Sequence, residues 1–294
     1  MSDPKNLRDR ADAVLELHEA GDSEAALAAA KALAADAAAD DVTDPVVRET
    51  LFAARFLTAL LLTELDELAL AADAYADAAA TPADLDDPDQ RHEIAMALLN
   101  RGICLDMSGS YTVAIDAYEQ LIATFRDADD PVTTDQVVRA RVNRASALLE
   151  AGRVGEALTA ADVLAGELDA HDALEAEQLV MTLRLRAVAL QHMDRADEAL
   201  DALAEVERCT DEDPAVRIQV AQAQAERAQL YAERGRISEG IALLAATTTR
   251  FEGDPDPAVI ESVLLMVATQ ADLLEQDGRH DQAAALRSGA DLLS

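Results

Sequence analysis

The five histidines, His18, His92, His171, His192 and His280, are too scattered along the chain to suggest a shared metal ion or proton relay. Two of them stand beside an acid, in His92-Glu93 and His280-Asp281. Adjacent residues of a helix point to different sides, so neither pair forms a working couple. The sequence contains no Gly-rich phosphate loop, no His-Glu-x-x-His, no Cys-x-x-Cys and no serine nucleophile elbow. Cys104 and Cys209 are far apart in sequence and need no disulfide. Cys104 precedes an apolar position and is expected to be a small buried residue rather than a reactive thiol. These residues predict a protein that is not an enzyme, with no metal site and no cofactor. Four arginines, Arg101, Arg144, Arg186 and Arg227, remain as candidates, and their meaning depends on the elements that carry them.

Bulk composition narrows the partners. Of 294 residues, half are hydrophobic but only 3% are aromatic, so the apolar material is mainly Ala and Leu. That composition suits close-packed helices and supplies few strand-forming runs. The formal charge is −34, from 58 acidic and 24 basic residues, and Lys5 and Lys31 are the only lysines. An Asp-rich, Lys-poor chain resembles the composition of halophile proteins. So negative a field repels nucleic acid and anionic membrane alike, which predicts neither as a partner. The N-terminal stretch has no apolar signal core. The greasiest run, Leu51 to Leu62, is broken by Arg55 and is too short to span a bilayer, so a cytoplasmic location is expected.

An Asp-Pro dipeptide recurs at Asp3-Pro4, Asp44-Pro45, Asp87-Pro88, Asp130-Pro131, Asp213-Pro214 and Asp256-Pro257. A further copy, Asp172-Ala173, has lost only the proline, and the steps between copies are 41, 43, 43, 42, 41 and 43 residues. A column of small residues keeps the same beat at Ala71, Ala114, Ala157, Ala199, Gly240 and Ala283. The chain therefore reads as one array over 1–294 of seven units, 3–43, 44–86, 87–129, 130–171, 172–212, 213–255 and 256–294.

Within a unit the aspartate can cap a helix whose first turn holds the proline. In the third unit that helix carries Ile94, Ala97, Leu98, Gly102 and Leu105 at helical spacing. It stops near Gly109, and a second helix carries Tyr111, Ala114, Ile115, Tyr118, Leu121 and Ile122. The turn position is Gly109, Gly152, Gly235 or Gly278 in four units and Asp66 or Asp194 in two others. A second small-residue column stands at Ala59, Gly102, Ala145, Ala187, Ala228 and Ala271. The first unit is shorter by about one helical turn. The last serves as a polar cap, with Arg287 where others have Tyr75, Tyr118, Leu203 and Leu244, and Asp291 four residues later.

The runs Asn100-Arg101-Gly102 … Gly109-Ser110-Tyr111 … Ala114 and Asn143-Arg144-Ala145 … Gly152 … Glu156-Ala157-Leu158 resemble tetratricopeptide repeats (TPRs). A step of 41–43 residues is longer than the standard repeat and is similar to long-helix variants. The resemblance implies an all-α, right-handed superhelical α-solenoid of helix-turn-helix units. It implies that the four arginines pack their stems on the partner helix and reach carboxylates such as Asp116, Glu156 and Asp201. It also implies a concave groove, made by first helices, that takes a peptide segment or partner helix.

Groove positions implied by the same resemblance are Met96, Leu99, Asn100, Ile103 and Met107 in the third unit. They continue as Arg139, Val142, Asn143, Ser146 and Glu150 in the fourth, and Met181, Arg184, Val188 and His192 in the fifth. Asn100 and Asn143 would hold a ligand backbone, since an amide both donates and accepts. The family's two-carboxylate clamp is incomplete here, because Met96, Met181 and Leu185 stand where its cations belong. The function expected is a non-enzymatic interaction scaffold for a protein or peptide. A regulator or assembly factor acting through end-to-end dimers is the alternative, and an enzyme without a legible motif the third reading.

Overall fold

The computed structural model describes residues 4–172, 175–209 and 213–290; Asp3, Ala173, Asp291 and Ser294 lie outside them. Among the described residues there are fourteen α-helices and no strand. They form two compact units, Met1–Ala151 and Gly152–Ser294.

The first unit holds α1 (Pro4–Glu19), α2 (Ser23–Ala38), α3 (Pro45–Glu64), α4 (Leu68–Ala79), α5 (Pro88–Met107), α6 (Tyr111–Thr124) and α7 (Pro131–Glu150). Asp44, Asp87 and Asp130 each accept a backbone N–H of the first turn that follows, and proline occupies the position where no N–H is needed. Each even-numbered helix folds back on the helix before it and packs against the one after it. Odd-numbered helices meet in turn as α1 with α3 and α5 with α7, while α3 and α5 approach less closely, with the Thr63 hydroxyl 3.5 Å from Cys104 Sγ, and both pack on α4.

The second unit holds α8 (Val154–Glu167), α9 (Ala176–His192), α10 (Ala196–Ala204), a 3₁₀ turn (Glu205–Arg208), α11 (Pro214–Glu233), α12 (Ile237–Arg250), α13 (Pro257–Gln276) and α14 (His280–Ala290). Asp213 and Asp256 cap α11 and α13 as expected. Helix α9, in the copy without the proline, starts at Ala176 with no side-chain cap and has 17 residues, against 20 in α11 and α13. α13 is long and apolar enough to cross a membrane by composition alone. It packs instead against α11, α12 and α14, burying Val259, Met266, Ala271 and Leu274.

Both small-residue columns are buried without exception, from Ala59 to Ala271 and from Ala71 to Ala283. Small side chains let two helix backbones approach. Where the residue is glycine the approach is closest: a Cβ on Gly102 would meet the Tyr118 ring at 2.3 Å, and one on Gly240 the Ala228 carbonyl oxygen at 2.6 Å. At the turns Gly109, Gly152, Gly235 and Gly278 all take positive φ, and so do Asp66 (61°) and Asp194 (58°). The two aspartates thus occupy the left-handed position that the glycines fill in the other copies.

A ladder the sequence reading missed ties successive caps together. Arg91, on the first turn of α5, lies 3.3 Å from both Asp129 and Asp130, the cap of α7. Arg217, at the matching place in α11, pairs with Asp254 at 2.8 Å, just before α13. Arg48 in α3 holds the same offset from its proline, and its charge lowers the pKa of Asp87 after two hydrogen bonds, from Gln90 and the Asp89 N–H. The signal was visible as arginine three residues after Pro45, Pro88 and Pro214.

Candidate functional site: the first-helix face

In the first unit the exposed parts of α1, α3 and α5 border an apolar opening. A cleft of about 250 Å³ runs between α1 and α3, floored by Leu33 of α2 and walled by Leu15, Phe52, Phe56 and Leu57. Glu93 of α5 closes one side. The rings form a ladder: Phe52 stacks on Phe56 at 5.7 Å, and Phe56 meets Tyr75 edge-on at 5.3 Å. Three of the eight Phe and Tyr rings are gathered here, in a chain with no Trp.

The neighbouring carboxylates are strained electrostatically. Burial, then the negative charges of Glu49, Asp89 and Asp87, raise the pKa of Glu93, against a partial offset from Arg48. Further along α5, burial and then Glu150 raise the pKa of Asp106. Burial likewise raises that of Asp135 on α7, with Arg139 opposing it.

The groove residues expected from the sequence fall into three groups. Met107 is well exposed, at 62%, and Arg139 is open, with only Asp135 near it at 4.0 Å. Met96, Asn100, Asn143 and Met181 are half-buried. Leu99 and Val142 are fully buried in the core and cannot touch a ligand. The two asparagines share a structural situation. Asn100 lies beside the Tyr75 hydroxyl and Asn143 beside that of Tyr118, and each amide lowers the phenol's pKa while burial raises it more. The Tyr118 hydroxyl and one Asp106 oxygen are buried without a hydrogen bond.

Arg184, in the second unit, is not a free cation. Its guanidinium donates to both oxygens of Glu226, to Gln219 at 2.5 Å and to Gln222 at 3.0 Å, all on α11. The four-arginine column also works between helices, but on partners other than those expected. Arg101 donates to Gln120, Arg144 to Glu119, Arg186 to Asp162 and Glu205, and Arg227 to Glu207. Asp116, Glu156 and Asp201 are not those partners. Gln120, Glu119 and Asp162 lie further along α6 and α8 than the expected acids, and Glu205 and Glu207 lie in the 3₁₀ turn after α10. Among the described residues no three His, Cys, Asp or Glu side chains are grouped to hold a metal ion.

No protein-family model and no curated protein matches the chain. Solved structures do. The apo form of RapI aligns over 96% of this chain and 94% of its own at 10% identity, with a TM-score of 0.57. BtubC (BKLC) from P. vanneervenii aligns over 78% and 89% at 12% identity, with a TM-score of 0.55. A putative kinesin light chain from Podosopora anserina with nearly identical TPR-like repeats aligns over 67% and 93% at 18% identity, with a TM-score of 0.49. At these identities the likeness is one of fold. The fold is a TPR-like α-solenoid. In that solenoid the odd-numbered helices are the first helices of the repeats, and the cleft at Leu15, Phe52 and Phe56 lies among them.

Proposed function

We propose that the protein is a non-enzymatic interaction scaffold that takes a peptide segment or a partner helix on its first-helix face. One observation carries the reading: the first helices of residues 1–151 leave open an apolar cleft of about 250 Å³, and two of them, α5 and α7, also expose Met107 and Arg139. A core helix would bury such a surface, and a purely solvated face would not contain it. Methionine adapts to varied partners, so Met96, Met107 and Met181 suit a face that accepts a segment rather than a small molecule. In this reading Asn100 and Asn143 contribute to both repeat packing and ligand backbone, Arg139 orients the ligand, and Arg184 acts through its network on α11. The seven units work as one array over 1–294 in a halophile-type cytoplasm, and neither nucleic acid nor membrane is a partner.

Affinity capture from a high-salt extract, followed by binding to variants, tests the reading. Met107→Glu and Arg139→Glu should each weaken a captured partner about tenfold, roughly 1.4 kcal/mol. Asp116→Arg, on the exposed side of α6, should leave binding unchanged. Loss in the α6 variant with retention in both first-helix variants would move the interface to the second helices and end the proposal.

A second reading, self-association, has its own observation. Leu265 and Ile260 stand exposed on α13, Leu265 at 64%. Sedimentation velocity of the wild type and Leu265→Glu separates the two readings: a dimer that the substitution dissociates favours association through α13.

A further inference from the structure

Resting on the scaffold reading, we propose that the cleft between α1 and α3 selects a partner segment that presents a bulky apolar side chain next to a lysine or arginine. The pocket itself dictates the apolar half. Leu15, Leu33, Phe52, Phe56 and Leu57 offer no hydrogen-bonding side chain, so a polar group placed there would lose its water without a replacement. The cationic half follows from the rim. Glu93 is the single charged residue that lines the cleft, and it has no ion-pair partner among the described residues. Glu49 and Asp89, which repel it, have none either, and Arg48 is the one cation whose charge bears on it. With Asp87, four carboxylates against one guanidinium leave the surroundings of Glu93 negative.

Burial makes that arrangement unfavourable for the isolated protein, as the upward shift of Glu93 reflects. A cation brought in by a partner would relieve it, and at a desolvated site such a contact survives salt better than one on the open surface. The rest of the chain works in the same direction. At −34 overall, the field draws a basic segment and repels an acidic one. An acidic ligand would need free cations, yet Arg184 is engaged by Glu226, Arg144 by Glu119, and Arg139 has Asp135 within 4.0 Å.

The test is selection of a random twelve-residue displayed peptide library on the immobilised full chain in 0.5 M KCl. The enriched peptides should pair Phe, Leu, Ile or Met with a neighbouring Lys or Arg. Synthetic copies should lose at least tenfold in affinity for Glu93→Arg and for Leu15→Asp, measured by fluorescence anisotropy. Leu15 is exposed, so Leu15→Asp should keep its thermal midpoint and decides the matter alone if Glu93→Arg does not fold. Enriched peptides that are acidic, or that bind both variants as well as wild type, overturn the inference. If those peptides are instead lost on Met107→Glu or Arg139→Glu, the scaffold reading stands without it. A library that yields no enriched family overturns both.

Discussion

Gly240 of α12 packs so closely on α11 that any Cβ there would lie 2.6 Å from the Ala228 carbonyl oxygen. The two residues belong to the two small-residue columns of one repeat, so the columns face each other across its helix pair. A backbone carbonyl cannot swing aside as a side chain can. Gly240→Ala should therefore cost stability, about 1–3 kcal/mol as overpacking typically does. Gly102→Ala meets the buried Tyr118 ring at 2.3 Å and should also be destabilising. Gly155 and Gly166 of α8 have open space around them. Alanine at those two positions should be neutral or stabilising, by up to about 1 kcal/mol, through helix propensity. Urea unfolding of the four variants checks the pattern, and a loss of equal size at all four would refute the close approach.

Asp66 and Asp194 sit at positive φ where other copies use glycine. An L-residue other than Gly pays to adopt that backbone, less for Asp than for most. Asp66→Gly and Asp194→Gly should each raise stability by about 0.5–1 kcal/mol, and Gly109→Ala should lower it by about 1–2 kcal/mol. A stability decrease in Asp66→Gly would mean that the aspartate makes a compensating interaction in the folded chain.

Much of this was legible because a repeat gives every position several chances to be read. The equivalence of Asp66 and Asp194 with Gly109 follows from register alone, and their φ values agree. Periodicity also placed the starts of α3, α5, α7, α11 and α13, since one aspartate and one proline set each of them. It did less well with the arginine column. Arg144 reaches Glu119 in the preceding helix, a choice made by where two helices cross, which no spacing within one helix encodes. The apolar cleft was missed for a similar reason. Phe52 and Phe56 lie inside the greasy run Leu51 to Leu62, and their meeting with Leu15 of α1 above Leu33 of α2 is a tertiary property. Leu99 and Val142 failed as ligand positions because a solenoid's first helices are covered on two sides, which leaves a narrower open stripe than the repeat pattern suggests.

The raised carboxyls on α5 give a pH prediction. A carboxyl whose folded pKa exceeds its unfolded value binds its proton more tightly in the fold. Its penalty is thus present above the folded pKa and disappears as pH falls below the unfolded one, near 4. Glu93 faces Glu49, Asp89, Asp87 and Arg48, and Asp106 faces Glu150 and the Tyr118 hydroxyl. Glu93→Gln and Asp106→Asn should consequently stabilise at pH 7, and that advantage should shrink as pH falls through the raised folded pKa toward the unfolded value near 4. Unfolding midpoints across that range check the sign; an advantage that grew on acidification would contradict the burial of both groups.

The last prediction concerns salt, where two electrostatic effects oppose each other. Ion pairs such as Arg153–Glu156, Arg195–Glu198 and Arg236–Glu239 join side chains three residues apart on the surface. Salt weakens them, but exposed pairs of this kind contribute only about 0–1 kcal/mol each. Against them stands the self-repulsion of 58 acidic residues opposed by 24 basic ones. Raising salt from 0.1 to 1 M shortens the screening length from about 10 Å to about 3 Å, which removes most repulsion between surface carboxylates. The more buried pair, Arg217–Asp254, is screened less and should persist. Repulsion involves far more charges than pairing does, so the net effect of salt should be stabilising. The unfolding midpoint should climb with KCl between 0.2 and 2 M, and it should do so for Arg236→Gln as well, since losing one surface pair leaves the repulsion intact. A midpoint that stayed flat over that range would mean that pairing balances repulsion, and the halophile reading of the composition would fall.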